Sequence, residues 1–218
     1  MKQVDIDRVY TILKKEVAHY DVPIVDLIQI QTNDPYKVLV TTILSARTKD
    51  ATTAAAAQRL FAKAETIDAL SRMSEAQIAK LIHPVGFTPT KARHLKQLKI
   101  ALDDLHGGDI PHTVEELVKL PGVGRKTANL VVAIAFDRDA ICVDTHVHRI
   151  MNILGYVRTR TPHETEMRLR SKLPRAYWKT INSMLVAFGQ HLCTPVSPWC
   201  SKCPIRSECN RIGVGRSR

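Results

Sequence analysis

Aromatic side chains are scarce in this chain, at 5% of 218 residues, with four Phe and two Trp. Its 44% apolar content therefore rests largely on Ala, Leu, Ile and Val, a mix that suits packed helices better than sandwiched sheets. No stretch alternates apolar and polar residues convincingly, so strands are not expected. No apolar run approaches the roughly 20 residues that a membrane-spanning helix needs. The opening MKQVDIDRVY has no apolar signal core, and a soluble intracellular protein is expected. Acidic residues are short as well: 21 Asp and Glu stand against 32 Lys and Arg, a formal charge of +11. That imbalance predicts attraction to polyanions, nucleic acid first among them, and says little about fold. Neither repeats nor a low-complexity linker divides the chain. It is long enough for one domain or two small ones and needs no disulfide to stabilise its core.

What is present is helical punctuation. Val4, Ile6, Val9, Tyr10, Leu13 and Val17 recur at three and four, an amphipathic first helix. Asp34-Pro35 reads as N-cap and first residue of a helix through Ala46, and the Ala-rich residues 51–63 read as a third. Ser74 with Gln77 forms a capping box for a short helix ending near Pro84 and Gly86. Thr88-Pro89 opens a helix that Gly107-Gly108 stops, and Thr113 with Glu116 caps the next. Residues 127–136 are apolar on almost every face, which predicts a helix buried at the centre of a bundle. Asp144 reads as the N-cap of a helix ending at Leu154 and Gly155. Thr161-Pro162 with Glu164 starts another that Pro174 ends, and a last helix is expected over 175–192. The fold class is all-α, with about ten helices.

Residues 120–130, LPGVGRKTANL, ask for more than a turn. Helix 114–119, turn 120–124 and helix 125–136 make a helix-hairpin-helix. Gly122 and Gly124 permit positive φ and leave backbone N–H groups open at a helix N-terminus, a natural phosphate site. Arg125 could add a charge-assisted contact. Lys126 falls in the first turn, where a cation opposes the helix dipole at a cost of roughly 0.3–1 kcal/mol. Its placement points to phosphate binding or amine chemistry. As a nucleophile it needs desolvation or a proton acceptor. Asp144, in AICVDTHVHR, is the candidate, able both to cap its helix and to take a proton. His146 and His148, at i and i+2 on that helix, point about 200° apart and cannot share a metal ion. They read as surface or packing residues.

Four of the five cysteines fall in CTPVSPWCSKCPIRSEC: Cys193, Cys200, Cys203 and Cys209, spaced C-x6-C-x2-C-x5-C. In a reducing compartment, four soft ligands this close suit tetrahedral zinc or a [4Fe–4S] cluster rather than disulfides. The spacing leaves both open. Lys202, Arg206 and Arg211, in or beside the loops, would make a metal-shaped surface basic and phosphate-facing. Cys142 reads as a small core residue.

Together LSARTKD, VGFTPTKA, LPGVGRKTAN, VDTHVHR and the spaced cysteines, in that order over nearly the whole chain, resemble the endonuclease III family of DNA glycosylase/AP lyases. The resemblance implies a six-helix barrel over residues 28–138. Residues 1–27 and 139–218 would form a second helical domain holding a [4Fe–4S] cluster, with double-stranded DNA bound across the cleft between the two. It also implies a bifunctional enzyme. A damaged pyrimidine would be flipped out of the stack, and Lys126 would attack C1′ and form a Schiff base. Asp144 would assist, and β-elimination would cut 3′ to the abasic site. Leu120, Gly122, Val123, Gly124 and Arg125 would hold phosphate, and His146 would lie among the DNA-facing residues. The cluster, mainly structural, would set Lys202 and Arg206 on DNA. A monomer is implied. The short N-terminus suits a cytoplasmic, nucleoid-associated prokaryotic enzyme, since eukaryotic relatives usually carry a targeting extension.

Two positions depart from the family's common pattern. Arg47 stands where many relatives carry Gln, in the loop that fills the gap left by the flipped base, and Phe87 stands where a Leu wedge is usual. A guanidinium plane and a ring both stack well on bases, but Arg47 changes the hydrogen bonds offered to the orphaned base. Opposite-base preference is therefore open. The rival readings are a thymine or uracil mismatch glycosylase, which typically replaces the hairpin lysine, and an adenine glycosylase, which usually adds a C-terminal domain. A non-catalytic iron–sulfur DNA-binding protein and a zinc-stapled structural module belong to other classes.

Overall fold

The computed structural model describes residues 2–20 and 24–218, and among them every regular element is helical. None of these helices is long and apolar enough to cross a membrane. The chain divides into two compact units, Ile24–Arg138 and Met1–Pro23 with Asp139–Arg218.

The first unit carries α2 (Ile24–Thr32), α3 (Pro35–Ser45), α4 (Asp50–Phe61), α5 (Ile67–Arg72), α6 (Glu75–Ile82), α7 (Thr88–His106), α8 (Val114–Leu117) and α9 (Arg125–Ala135). α5 and α8 are one to two turns long; the other six have eight residues or more. The caps fall where side-chain chemistry puts them. Asp34 accepts from Tyr36 N–H, Ser74 and Gln77 close their reciprocal box, and Thr113 accepts from Glu116 N–H. α9 is buried from Thr127 to Ala133, yet it shares the centre with α3, on which α2, α4, α7 and α9 all pack. Thr41 and Thr42 disguise α3 as partly polar. Both are buried, and the Thr42 hydroxyl is satisfied within the helix by Val38 O at 2.7 Å. α2 and α5 were outside the sequence expectation. α5 carries one fully buried residue, Leu70, too little to show periodicity.

The second unit holds α1 (Ile6–Val17), α10 (Thr145–Leu154), α11 (Pro162–Lys172) and α12 (Ile181–His191), with single 3-10 turns at Arg175–Tyr177 and Arg206–Glu208. Its core joins Val9 and Leu13 of α1 to Ile150 and Met151 of α10 and to Leu185 and Phe188 of α12. Glu208, 3% exposed, pairs with Lys2 at 3.2 Å and Arg8 at 3.4 Å, so the beginning of the chain is fastened to its end. The helix expected over 175–192 is broken between Tyr177 and Ile181. Tyr177 turns to stack on Tyr10 at 3.8 Å, and Trp178 Nε1 donates to Leu173 O, which pulls both side chains off a continuous helix.

Candidate nucleic-acid interface and cysteine cavity

The bend between α8 and α9 is closed by Val123 N–H donating to Leu120 O at 3.2 Å. Leu120 and Val123 are buried, so both anchor the turn by their side chains and present only backbone outward. Gly122 has φ 76°, and a Cβ there would lie 2.8 Å from His94 Nδ1. Both features favour glycine at this position. Gly124 differs from the expectation. It has φ −87° and ψ 172°, the extended conformation normal for an N-cap, and nothing lies within 4 Å of an added Cβ. What it supplies is clearance, not positive φ. Arg125 and Lys126 follow, both exposed, and Thr127 is already buried. Within three residues α9 passes from open backbone through two cations into the core.

Arg47 and Phe87 lie on two other loops of this unit, and the structure brings them together. The Arg47 guanidinium sits 5.5 Å from the centroid of the Phe87 ring. Both are exposed, Phe87 to 60%. Both also have positive φ, 54° and 59°, a conformation that costs a non-glycine residue of order 1–3 kcal/mol. An exposed cation–π contact returns only about 0.5–1 kcal/mol. Phe87, not Thr88, is the N-cap of α7; the Thr88 hydroxyl instead donates to Val85 O at 2.7 Å. Beneath the pair lies Lys91, 6% exposed, whose ammonium burial pushes down to about 8. Its Nζ donates to Leu44 O and Ala46 O at 2.7 Å each and to Thr48 Oγ1 at 3.2 Å.

In the other unit Asp144 is 8% exposed and caps α10. Both cap bonds fall on Oδ1, from His146 N–H and Val147 N–H at 2.9 Å each. The preceding segment is pinned by Arg175 to Asp139 at 2.6 Å and by Asn182 Nδ2 donating to Cys142 O at 3.3 Å. His146 is half-buried, with its ring against Gly189 of α12. His148 is tied to Thr165 of α11 at 2.7 Å, a packing role.

Cys193, Cys200, Cys203 and Cys209 line one cavity with Ile150, Leu154, Phe188 and Ile205. All four are free thiols, while Cys142 is buried in the core. Burial pushes the thiols of Cys193 and Cys203 up to about 11 and raises that of Cys209. Bare, they would stay protonated at neutral pH; a metal centre would hold them as thiolates. Arg149 beside Cys193 and the Arg211 N–H on Cys209 Sγ at 3.4 Å complement that negative charge. Among the described residues no three His, Cys, Asp or Glu converge closely enough to hold one ion. Four soft donors around an apolar cavity nevertheless fit a cluster chemically. Lys202 and Arg206 are exposed on these loops, and Lys202 Nζ lies 5.0 Å from the Trp199 ring.

Sequence reasoning missed Lys91, Thr48, His94 and Asn182. Lys91 in VGFTPTKA reads as a surface cation, because nothing in residue type announces that carbonyl oxygens surround it. His94 carried no signal at all.

The HhH-GPD superfamily of base excision DNA repair proteins matches residues 40–175. The chain is 43% identical over 188 residues to endonuclease III of Thermotoga maritima, covering 85% of this chain and 88% of that one. It is 48% identical over 177 residues to endonuclease III-like protein 1 of Gallus gallus, covering 80% of this chain but spanning only 63% of that longer protein. A solved structure described as a non-covalent endonuclease III–DNA complex superposes with a TM-score of 0.84 at 31% identity over 96% of this chain and 97% of that one. A second, of a trapped endonuclease III–DNA covalent intermediate, gives a TM-score of 0.77 at 33% identity over 86% and 93%. With the hairpin, the cysteine spacing and the all-helical fold in agreement, the chain belongs to the HhH-GPD superfamily and, within it, to the endonuclease III family.

Proposed function

We propose that this protein is a bifunctional DNA glycosylase and AP lyase that removes oxidised pyrimidines from duplex DNA as a monomer. The observation that carries this reading is the start of α9: an unobstructed Gly124 and an exposed Lys126 two residues on. Phosphate bound at the N–H groups there sets the register of the strand beside the amine. Bound DNA would exclude solvent from the exposed Lys126 side chain and supply desolvation that helps to free the amine. The amine then forms a bond to C1′ as the C1′–N bond to the damaged base breaks, the base leaving with the electron pair. Loss of the amine proton, with Asp144 as acceptor, and opening of the sugar give a Schiff base. Removal of a proton from C2′ expels the 3′ phosphate and cuts the strand.

A relative trapped as a covalent DNA intermediate supports the covalent step. Asp144 keeps its helix capped through Oδ1 while serving this chemistry. Cys193, Cys200, Cys203 and Cys209 would hold a [4Fe–4S] cluster, which family membership favours over zinc and which supplies a structural cross-link. Lys202 and Arg206 would face phosphate from those loops. His146, whose ring packs on α12, is a DNA-facing candidate through its exposed edge alone.

Borohydride trapping on a duplex containing thymine glycol tests the reading. A covalent protein–DNA band is expected, absent in Lys126→Ala. A duplex bound without any band would shift the assignment to a mismatch glycosylase or a non-catalytic binder.

A further inference from the structure

We propose that Lys91 is a positioning residue that assembles Arg47 and Phe87 into one rigid wedge before DNA arrives, so that the pair enters the base stack as a unit. The inference rests on the reading of these two loops as DNA-facing.

Arg47 and Phe87 stand forty positions apart on separate loops, and Lys91 touches the flanks of both. Its backbone N–H donates to Phe87 O at 3.0 Å. Its Nζ donates to Ala46 O and Thr48 Oγ1, the residues on either side of Arg47, and to Leu44 O. An ammonium has three donors, and all three are used on uncharged oxygens. Leu44 and Ala46 supply carbonyls at the C-terminal end of α3, where the helix leaves its last oxygens without partners and where a cation is favoured.

The two loops are joined further. Gly86 N–H donates to Thr48 Oγ1 at 3.0 Å, and a Cβ on Gly86 would lie 2.7 Å from Arg47 O. Backbone meets backbone there, with no space for a side chain. From the far side Arg59 donates to Leu81 O at 2.9 Å and to His83 O at 2.5 Å, holding the start of the second loop. The result is two residues in left-handed conformations, both exposed, stacked on each other and braced from below. Such an arrangement is poor for stability and good for presenting a flat, preorganised surface to unstacked bases.

The test uses the full-length protein and a duplex with one abasic site opposite 2-aminopurine, whose fluorescence rises on unstacking. Lys91→Met keeps the aliphatic stem and removes the three donors. It should lower duplex cleavage about tenfold, mainly through KM, and blunt the fluorescence rise. Cleavage of a single-stranded abasic oligonucleotide, which has no stack to enter, should keep its rate. In a Phe87→Ala background, Lys91→Met should add nothing further. Thr48→Val, at a half-exposed site, removes one of the three Lys91 acceptors together with the Gly86 bond, and should give the same pattern at smaller amplitude if Lys91→Met proves too unstable to purify. A normal fluorescence response, an equal loss on duplex and single strand, or losses that multiply in the double variant would each overturn the proposal. If Phe87→Ala and Arg47→Ala themselves leave duplex cleavage and fluorescence unchanged, the DNA-facing reading of the loops falls first and takes the proposal with it.

Discussion

In the 24–138 unit the exposed groups at the hairpin and the wedge are presented by backbone. Gly122 is pressed against His94, Gly86 against Arg47 O, and Lys91 is hung on two carbonyls and a hydroxyl. In the other unit the equivalent work falls to side chains: the Asp144 carboxylate and four thiols round a cavity. The first kind of site is finished when the chain folds. The second waits for something to bind, because buried thiols without a metal gain nothing from being together.

That contrast is best broken at the cysteines. Cys200→Ala should strip the visible absorbance of bound iron and speed amide exchange across α10 and α12, while amides of α3 and α9 keep their protection. Hydrogen exchange read by unit checks this; equal loss in both would erase the distinction. A sharper probe is Asp144→Asn. Asparagine caps a helix about as well as aspartate, so the melting temperature should hold while Schiff-base formation drops by about 10²–10⁴-fold, the usual worth of a positioned proton acceptor. A matched loss of stability would make Asp144 a cap and no more. The smallest effects come from the two hairpin glycines. Gly122→Ala meets both a positive φ and the His94 ring and should cost roughly 1–3 kcal/mol in denaturant titration. Gly124→Ala has space and an ordinary conformation, so its stability cost should stay under about 1 kcal/mol. Its added methyl stands where phosphate would approach, and DNA affinity should fall regardless.

Much of this was written plainly in the chain, for identifiable reasons. Caps are local: Asp34, Ser74 with Gln77, Thr113, Asp144 and Thr161 each act within three residues of themselves. The cysteine set is local too. What could not be read was whatever depends on two distant segments meeting. The stacking of Arg47 on Phe87 and the burial of Lys91 arise only once α3, α4 and α7 have packed. The break before α12 depends on Tyr10, far away at the other end of the chain. The role of Gly124 went astray for a subtler reason: glycine suggests positive φ, whereas here its missing side chain matters more than its freedom.

The pairing of Lys2 and Arg8 with Glu208 also sets an order of events during synthesis. Residues 24–138 are contiguous and can close their core while the ribosome is still translating the rest. α1 emerges before them, yet its partners in α10 and α12 come much later. Glu208 itself is added only after about 200 further residues, roughly 10–40 s at ordinary elongation rates. Until α10 and α12 have been made, the amphipathic α1 waits with its apolar face uncovered, and the ion pairs to Glu208 close only after that face is buried.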